Sequence, residues 1–381
     1  LPALLAGLGI GLNVAFVGLH VWLPDAYPTP HVAASVLLAA VTTKVGVYAL
    51  ARAFPGGNLA VAWTGGAMLL VGVSLAVLQT DLRRLLSYHV VSQVGFMVAG
   101  IGLGSGFGLA GAMAHLQNNV LYKSLLFAVA GVVAVRTGDE NLKELGGLAR
   151  PMPATFAAFV VAALAISGVP GFNGFVSKGM LVDAAAAADR DALWWALLVG
   201  SVGTVLSFAK FGYYVFLYGD PPCDRAVREI NARGIAAMVL LAVPCVAFGL
   251  FPNLQFAVLP GAPAAAAPFE VSQFRKAGAI LAAGIVAFAV LRRPLGRIPA
   301  VPDLDSVYHP VGRASQRATV ETVAAAGAAL DRGAERVVGR VWDRASANPA
   351  VERPLHERVA GSVLRVVLAL VALLVTLLVS T

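Results

Sequence analysis

The chain has 381 residues, of which 59% belong to the apolar set AVILMFWYC and only 13% are charged, with a mean hydropathy of +0.80. A soluble domain carries about a quarter charged residues, so about half the expected charge is missing and a water-soluble enzyme is excluded. The 28 Lys+Arg against 20 Asp+Glu leave a net charge of +8, informative by position rather than as a total.

Apolar runs of about 20 residues are long enough as helices to cross a hydrocarbon core of about 30 Å. They fall at 1–22, 32–53, 60–79, 84–103, 107–135, 153–185, 191–217, 234–257, 274–292 and 359–380. The expected architecture is therefore an all-α, polytopic transmembrane bundle of ten spans with discontinuous helices. Leu1 already lies inside an apolar run, without a basic leader or a small-residue cleavage site, so the chain is expected to be the back portion of a longer gene product.

The first span runs into HVWLPDAYPTPH, where Pro24, Pro28 and Pro30 predict a break. A second break is predicted in the sixth span, where SGVPGFNGF places Gly168, Pro170, Gly171 and Gly174 inside an apolar segment. Within a membrane such a break frees backbone carbonyls and is tolerated only where it is buried in protein or lines a cavity. Counting basic residues on alternate sides collects Arg83, Arg84, Arg136, Lys143, Arg150, Arg225, Arg228, Arg233 and the segment after Arg292 on one side. The other side has only Arg52, Arg190, Arg275 and Lys276. The asymmetry predicts that the first side is cytoplasmic.

Residues 293–358 are polar and basic. Arg332, Arg336, Arg340 and Arg344 recur every four residues, with Leu330, Val337, Val338, Val341 and Trp342 mainly on the other side. This reads as an amphipathic rod lying on the membrane or on neighbouring subunits, or as a solvated tail with some helix. The last span carries Arg365 near one end, where it can snorkel.

A lysine at mid-depth costs several kcal/mol unless it faces protein or water, which makes it a functional candidate. Lys44 lies halfway along 32–53 and Lys123 near the middle of 107–135. His115, Asn119 and Lys123 follow one another at i, i+4, i+8 and so share one helical face, as a hydrogen-bonded proton path requires. Lys178 follows the second break, where a lysine can gain and lose its proton. The structural alternatives are a lysine paired to a buried carboxylate, or, for Lys178, a snorkelling side chain. Lys210 reads as an interfacial anchor or lipid contact, His89 beside Ser87 and Tyr88 as a satisfied polar residue, and His20 and Asp25 as loop residues with structural roles.

Cys223 and Cys245 lack CxxC partners, which argues against thiolate clusters and a disulfide framework. No phosphate-binding GxxxxGK[ST] occurs. No bound cofactor, no metal and no nucleic-acid partner is expected.

The blocks HVWLPDAYPTP, TTKVGVYALAR, DLRRLLSYHVVSQVGF, AHLQNNVLYKSLLFAVAGV and LGGLARPMPATFAAFVVAALAISGVPGFNGFVSKGML, in that order, resemble one family over residues 5–220. It is that of the antiporter-like subunits of respiratory complex I and of Mrp-type multisubunit Na+/H+ antiporters. GVPGFNGFVSK and the short loops are most similar to the D-type member of the Mrp assemblies. The resemblance implies about fourteen helices with two inverted five-helix repeats, each with a discontinuous helix. Residues 1–53 would then end the first repeat, 58–220 form the second, 221–292 add C-terminal transmembrane helices, 293–358 form the basic amphipathic segment and 359–381 the final span. The amphipathic segment and last span resemble the lateral helix of the largest complex I subunit.

By the same resemblance, Lys44 falls on the lysine linking two half-channels, and His115 and Lys123 on the histidine and lysine of the following polar helix. Lys178 falls on the lysine, or glutamate in some members, of the broken helix at the exit half-channel. The family's lysine seven residues before the HxWLP histidine aligns with Asn13, and a second family histidine with Asn119; neither asparagine can titrate. The implied function is a proton-translocating subunit in the plasma membrane, moving protons and Na+ among Lys44, His115, Lys123 and Lys178, with other membrane subunits of a hetero-oligomeric complex and the bilayer as partners. The alternatives are a proton-pumping subunit of a complex I-like NADH:quinone oxidoreductase or hydrogenase, and a transport-inactive structural subunit.

Overall fold

A computed structural model describes residues 2–221, 227–259, 268–295 and 305–346. They are helical almost throughout: α1 (Pro2–Val14), α2 (Trp22–Ala26), α3 (Val32–Ala53), α4 (Leu59–Leu78), α5 (Leu82–Gly102), α6 (Gly106–Thr137), α7 (Pro153–Ser167), α8 (Asn173–Ala187), α9 (Asp191–Gly212), α10 (Ala232–Leu250), α11 (Pro252–Phe256), α12 (Val271–Leu295) and α13 (Asp305–Ser346). Among the described residues, seven helices are long and apolar enough to cross a membrane: α3, α4, α5, α6, α9 with the π-turn that follows it, α10 and α12. The expected last span, 359–380, and Cys223 lie outside the described residues.

Helix starts are written locally. The side chains of Asn58, Asp81, Ser105 and Asn231 each accept a hydrogen bond from a backbone N–H in the first turn of α4, α5, α6 and α10, satisfying donors that have no intrahelical acceptor. The start of α7 is capped from outside: Glu229 accepts from the N–H groups of Ala154 (2.8 Å) and Thr155 (3.0 Å) and from the Thr155 hydroxyl (2.6 Å).

Both predicted breaks exist, but the first is displaced. α1 ends at Val14, and Ala15 (φ 66°) and Gly18 (φ 89°) turn the chain before the prolines are reached. Pro24 sits inside α2, in the first turn, where its missing N–H would have had no intrahelical acceptor. The second break separates α7 from α8 at 168–172, with Gly168 as a left-handed cap (φ 77°).

Loop contacts respect the alternation of sides. Arg83 clasps Glu140 through two nitrogens and donates to the Pro30 carbonyl (3.0 Å), and Arg136 donates to the Glu229 carbonyl (3.0 Å). These contacts all belong to the basic side. On the opposite side the Asn58 N–H donates to the Gly102 carbonyl (2.9 Å) and Lys276 pairs with Asp183.

The core sits around α5, whose apolar window is wholly buried. Gly65 and Gly72 of α4 lie against the α5 backbone at Ala99 and Ser92, the small-residue contact that lets membrane helices approach closely. At the edge, α10 and α12 keep most of their surface exposed, with Leu240 and Val290 pointing outward. Lys210, expected at the interface, is instead buried, and its Nζ donates to the carbonyls of Val77 (2.7 Å) and Gln79 (2.6 Å) at the end of α4. It caps a helix rather than touching lipid.

In a second compact unit, α13 is one continuous helix with exposed Val320, Val323, Leu330 and Val337. The stretch expected as an amphipathic rod is therefore helical over Asp305–Ser346.

Candidate functional site

Helices of the core carry ionisable side chains inward. Lys44 on α3 is buried, with its Nζ donating to the Ala39 carbonyl just over one turn earlier (2.6 Å). Lys123 on α6 is fully buried and donates to the Leu86 carbonyl of α5 (2.9 Å). Lys178 on α8 is 5% exposed, and its Nζ has no hydrogen-bond partner among the described residues. It lies 4.9 Å from the centre of the Phe96 ring, a cation–π contact. Among the described residues none of the three is paired to a carboxylate, so the structural alternative of a buried ion pair finds no partner there.

His115 occupies the middle of this arrangement. Its Nδ1 is 2.9 Å from the Ser177 hydroxyl, next to Lys178, and its Nε2 is 3.3 Å from the Tyr122 hydroxyl. The Phe96 ring stands 5.4 Å from the imidazole, so one aromatic ring contacts both His115 and Lys178. His115 is within electrostatic reach of Lys178 and Lys44, and Lys123 of Lys44. The polar face 115–119–123 expected from the sequence is thus brought against α3, α5 and α8 at once. Asn119 serves it by donating to the Tyr122 hydroxyl (3.3 Å).

Local backbone explains why Lys178 stands free. Gly168 has a left-handed conformation that ends α7, and a Cβ there would lie 3.4 Å from the Lys178 Cδ. A residue with a side chain would be strained by its φ, although its Cβ would make only ordinary contact with the lysine stem. The interruption therefore makes room for a long side chain beside an opened backbone.

Several participants are not evident from the sequence. Asn118 donates to the Asn173 carbonyl (2.9 Å) and to the Ser177 hydroxyl (3.1 Å), and Gln255 of α11 donates to Asn118 (2.7 Å) and to the Ala114 carbonyl (3.0 Å). Gln255 carries a weak signal, being one of two amides, with Asn253, in an apolar run. His89, expected as a satisfied polar residue, is fully buried and neither ring nitrogen has a hydrogen-bond partner among the described residues. Its neighbour Ser87 turns instead to the Arg83 carbonyl (2.6 Å). The His89 ring packs 4.8 Å from that of Phe208 and is within electrostatic reach of Lys123 and Lys178. Buried polar groups left without partners are costly unless water satisfies them.

Asn13, at the end of α1, presses its side chain against Gly46 of α3, two residues from Lys44, and its Oδ1 has no partner among the described residues. The first interruption thus offers an amide where the second offers an amine. Chemically the assembly can hold, pass and release protons: amines and an imidazole carry them, and hydroxyls and amides orient them. Among the described residues no three His, Cys, Asp or Glu side chains converge as a metal site would require.

Residues 2–207 match the transmembrane family described as NADH:quinone oxidoreductase/Mrp antiporter. The chain is 35% identical to NADH-quinone oxidoreductase subunit N of Desulforudis audaxviator, covering 64% of this chain and 53% of that protein. It is 33% identical to the Na+/H+ antiporter D-type subunit of Alkalihalophilus pseudofirmus, covering 64% and 50%. Among solved structures, a chain of the Mrp complex from a Dietzia species superposes with a TM-score of 0.62 at 26% identity, over 71% of this chain and 59% of that one. A chain of the archaeal membrane-bound sulfane sulfur reductase superposes with a TM-score of 0.65 at 25% identity, over 97% and 68%. The chain spans about half the length of these curated relatives. It belongs to this family: it is a multi-pass, antiporter-like membrane subunit of the kind found in Mrp and complex I-like assemblies.

Proposed function

We propose that this chain is the proton-translocating subunit of a multisubunit monovalent cation/proton antiporter, with Na+ as the exchanged cation and other membrane subunits as its partners. Protons would move among Lys44, His115, Lys123 and Lys178 through buried water, each amine changing charge as its neighbours change. The observation that carries this reading is the clustering of ionisable basic groups across α3, α6 and α8, without carboxylate partners among the described residues, and with His115 hydrogen-bonded to the residue beside Lys178. Like charges in a dry core repel strongly, so such a row is stable only if some members are neutral at any moment. Membership changes are what a relay needs. In this reading residues 1–53 end a first repeat, 58–220 form a second and 221–292 supply flanking helices.

A second reading keeps the chemistry and changes the driver: a proton-pumping subunit of a complex I-like oxidoreductase or of a membrane-bound hydrogenase. It is supported by the likeness to the NADH-quinone oxidoreductase subunit and to a chain of the sulfane sulfur reductase. The discriminating experiment is cation dependence of proton movement in the reconstituted complex. Proton efflux that requires Na+ supports the antiporter; efflux that requires an electron donor and ignores Na+ supports the redox-driven reading. For both, Lys178→Ala is expected to lower proton transport about a hundredfold. Unchanged transport would leave the chain a structural subunit.

A further inference from the structure

Beyond Lys178, towards the side opposite the basic loops, the structure holds two small neighbouring cavities. Lys178 lines a narrow cavity together with Ser201 of α9 and Gln273 and Lys276 of α12. A second small cavity, lined by Asp183 and Gln273, shares Phe175 and Gly179 with the first. Asp183 lies five residues after Lys178 on α8, about 7.5 Å along the helix axis. It is hydrogen-bonded by both Gln273 and Lys276, and the ion pair is about one-third exposed on each side. Phe175, Val176, Met180, Ala110 and Ala277 form an apolar cluster of their own, separate from the main core, and Phe175, Val176 and Met180 line the second cavity with Asp183.

We propose that the Asp183–Lys276 pair is the gate at the outer mouth of the proton path, with Asp183 the last acceptor; this rests on the proton-path reading above. The Lys178 ammonium gives its proton through water to the Asp183 carboxylate, leaving a neutral amine and a neutral acid. A neutral Asp183 no longer holds Lys276 by charge, so the mouth opens. The proton then passes to outside water, and the re-formed carboxylate closes the pair again. Gly179 lines both cavities, and a Cβ there would sit 3.0 Å from the Gln273 Oε1.

The test uses the full-length subunit in the assembled complex, reconstituted into liposomes that contain a pH-sensitive dye, with assembly checked by co-purification. Asp183→Asn is expected to slow coupled proton transport about tenfold or more, and Gly179→Val to slow it similarly by filling the cavities. Lys276→Met, which removes the lock, is expected to raise the passive proton leak about threefold or more and to lower the coupled transport by that leak. If Asp183→Asn does not assemble, Asp183→Asn/Lys276→Gln replaces it and is expected to show the same loss. The gate is overturned if these variants transport and leak within about twofold of the parent while Lys178→Ala is inactive. If Lys178→Ala is itself active, the proton path fails and the gate with it.

Discussion

Two of the places where the chain interrupts an apolar helical segment, at 15–21 and at 168–172, are equipped differently. At 15–21 the backbone turns through Ala15 and Gly18, and Asn13 beside the turn lodges against Gly46. At 168–172 the turn passes through Gly168 and Gly171, and the side chain beside it is Lys178, without a hydrogen-bond partner among the described residues, next to Ser177 and His115 and open to a cavity. Both breaks release backbone groups from the helical ladder, but Gly168 at the second is buried while Val17 and Gly18 at the first are exposed. The difference teaches that a break by itself supplies only space and dipoles. A group that can take up and release a proton is what turns it into part of a path.

The comparison is broken most severely by making the second interruption resemble the first. Lys178→Asn is expected to lower proton transport about a hundredfold, measured as dye quenching in vesicles carrying the assembled complex; retention of activity would mean that an amide suffices. Next in size is Lys44→Ala, expected to cost about tenfold to a hundredfold in the same assay, because it removes the member that lies within electrostatic reach of both His115 and Lys123. A similar rate to the parent would place the path on α6 and α8 alone.

A smaller effect concerns stability near the second interruption. Glu229 caps α7, the first half of the broken helix, and although burial pushes its carboxyl upward, the Thr155 hydroxyl and the N–H groups of Ile230, Thr155 and Ala154 hold it below the usual glutamate range. A carboxyl depressed by folding contributes stability that is full above its unfolded value, about 4.3, and that is lost as pH falls through its lower folded value. Glu229→Gln is therefore expected to destabilise the detergent-solubilised subunit by about 1 kcal/mol at neutral pH, with the gap in thermal midpoint closing in strong acid. A gap independent of pH would mean that the carboxylate's charge is not what holds α7.

The smallest effect belongs to the first interruption. Asn13→Ala is expected to change transport by less than about twofold, since Asn13 Oδ1 makes no hydrogen bond among the described residues. A large loss would show that the first interruption is as active as the second.

How much of this is legible in the sequence follows from which signals are local. Span lengths are local: the run 32–53 coincides with α3, and Asn58, Asp81 and Ser105 cap the helices that follow them through contacts within three residues. The break at 168–172 is legible because glycines and a proline interrupt an apolar run. The first break falls earlier than its prolines suggest, because Ala15 adopts a positive φ that its side chain does not announce. Lys44, His115, Lys123 and Lys178 stand out as polar groups at apolar depth. Their partners do not, because Leu86, Ser177 and Gln255 reach the site only after distant helices pack. Lys210 and His89 depart from expectation for the same reason: a terminal carbonyl pair and the hydrogen-bonding neighbourhood of an imidazole are tertiary facts.

The central claim is that a buried amine must lose and regain its charge, and Lys178→Arg tests it most directly. Arginine keeps the length and the positive charge but does not give up its proton. Proton transport by the reconstituted complex is predicted to fall as far with Lys178→Arg as with Lys178→Ala, while Lys178→Glu, which can still titrate, retains a measurable part. Parental transport by Lys178→Arg would contradict the account, because a fixed charge would then serve as well as a switching one.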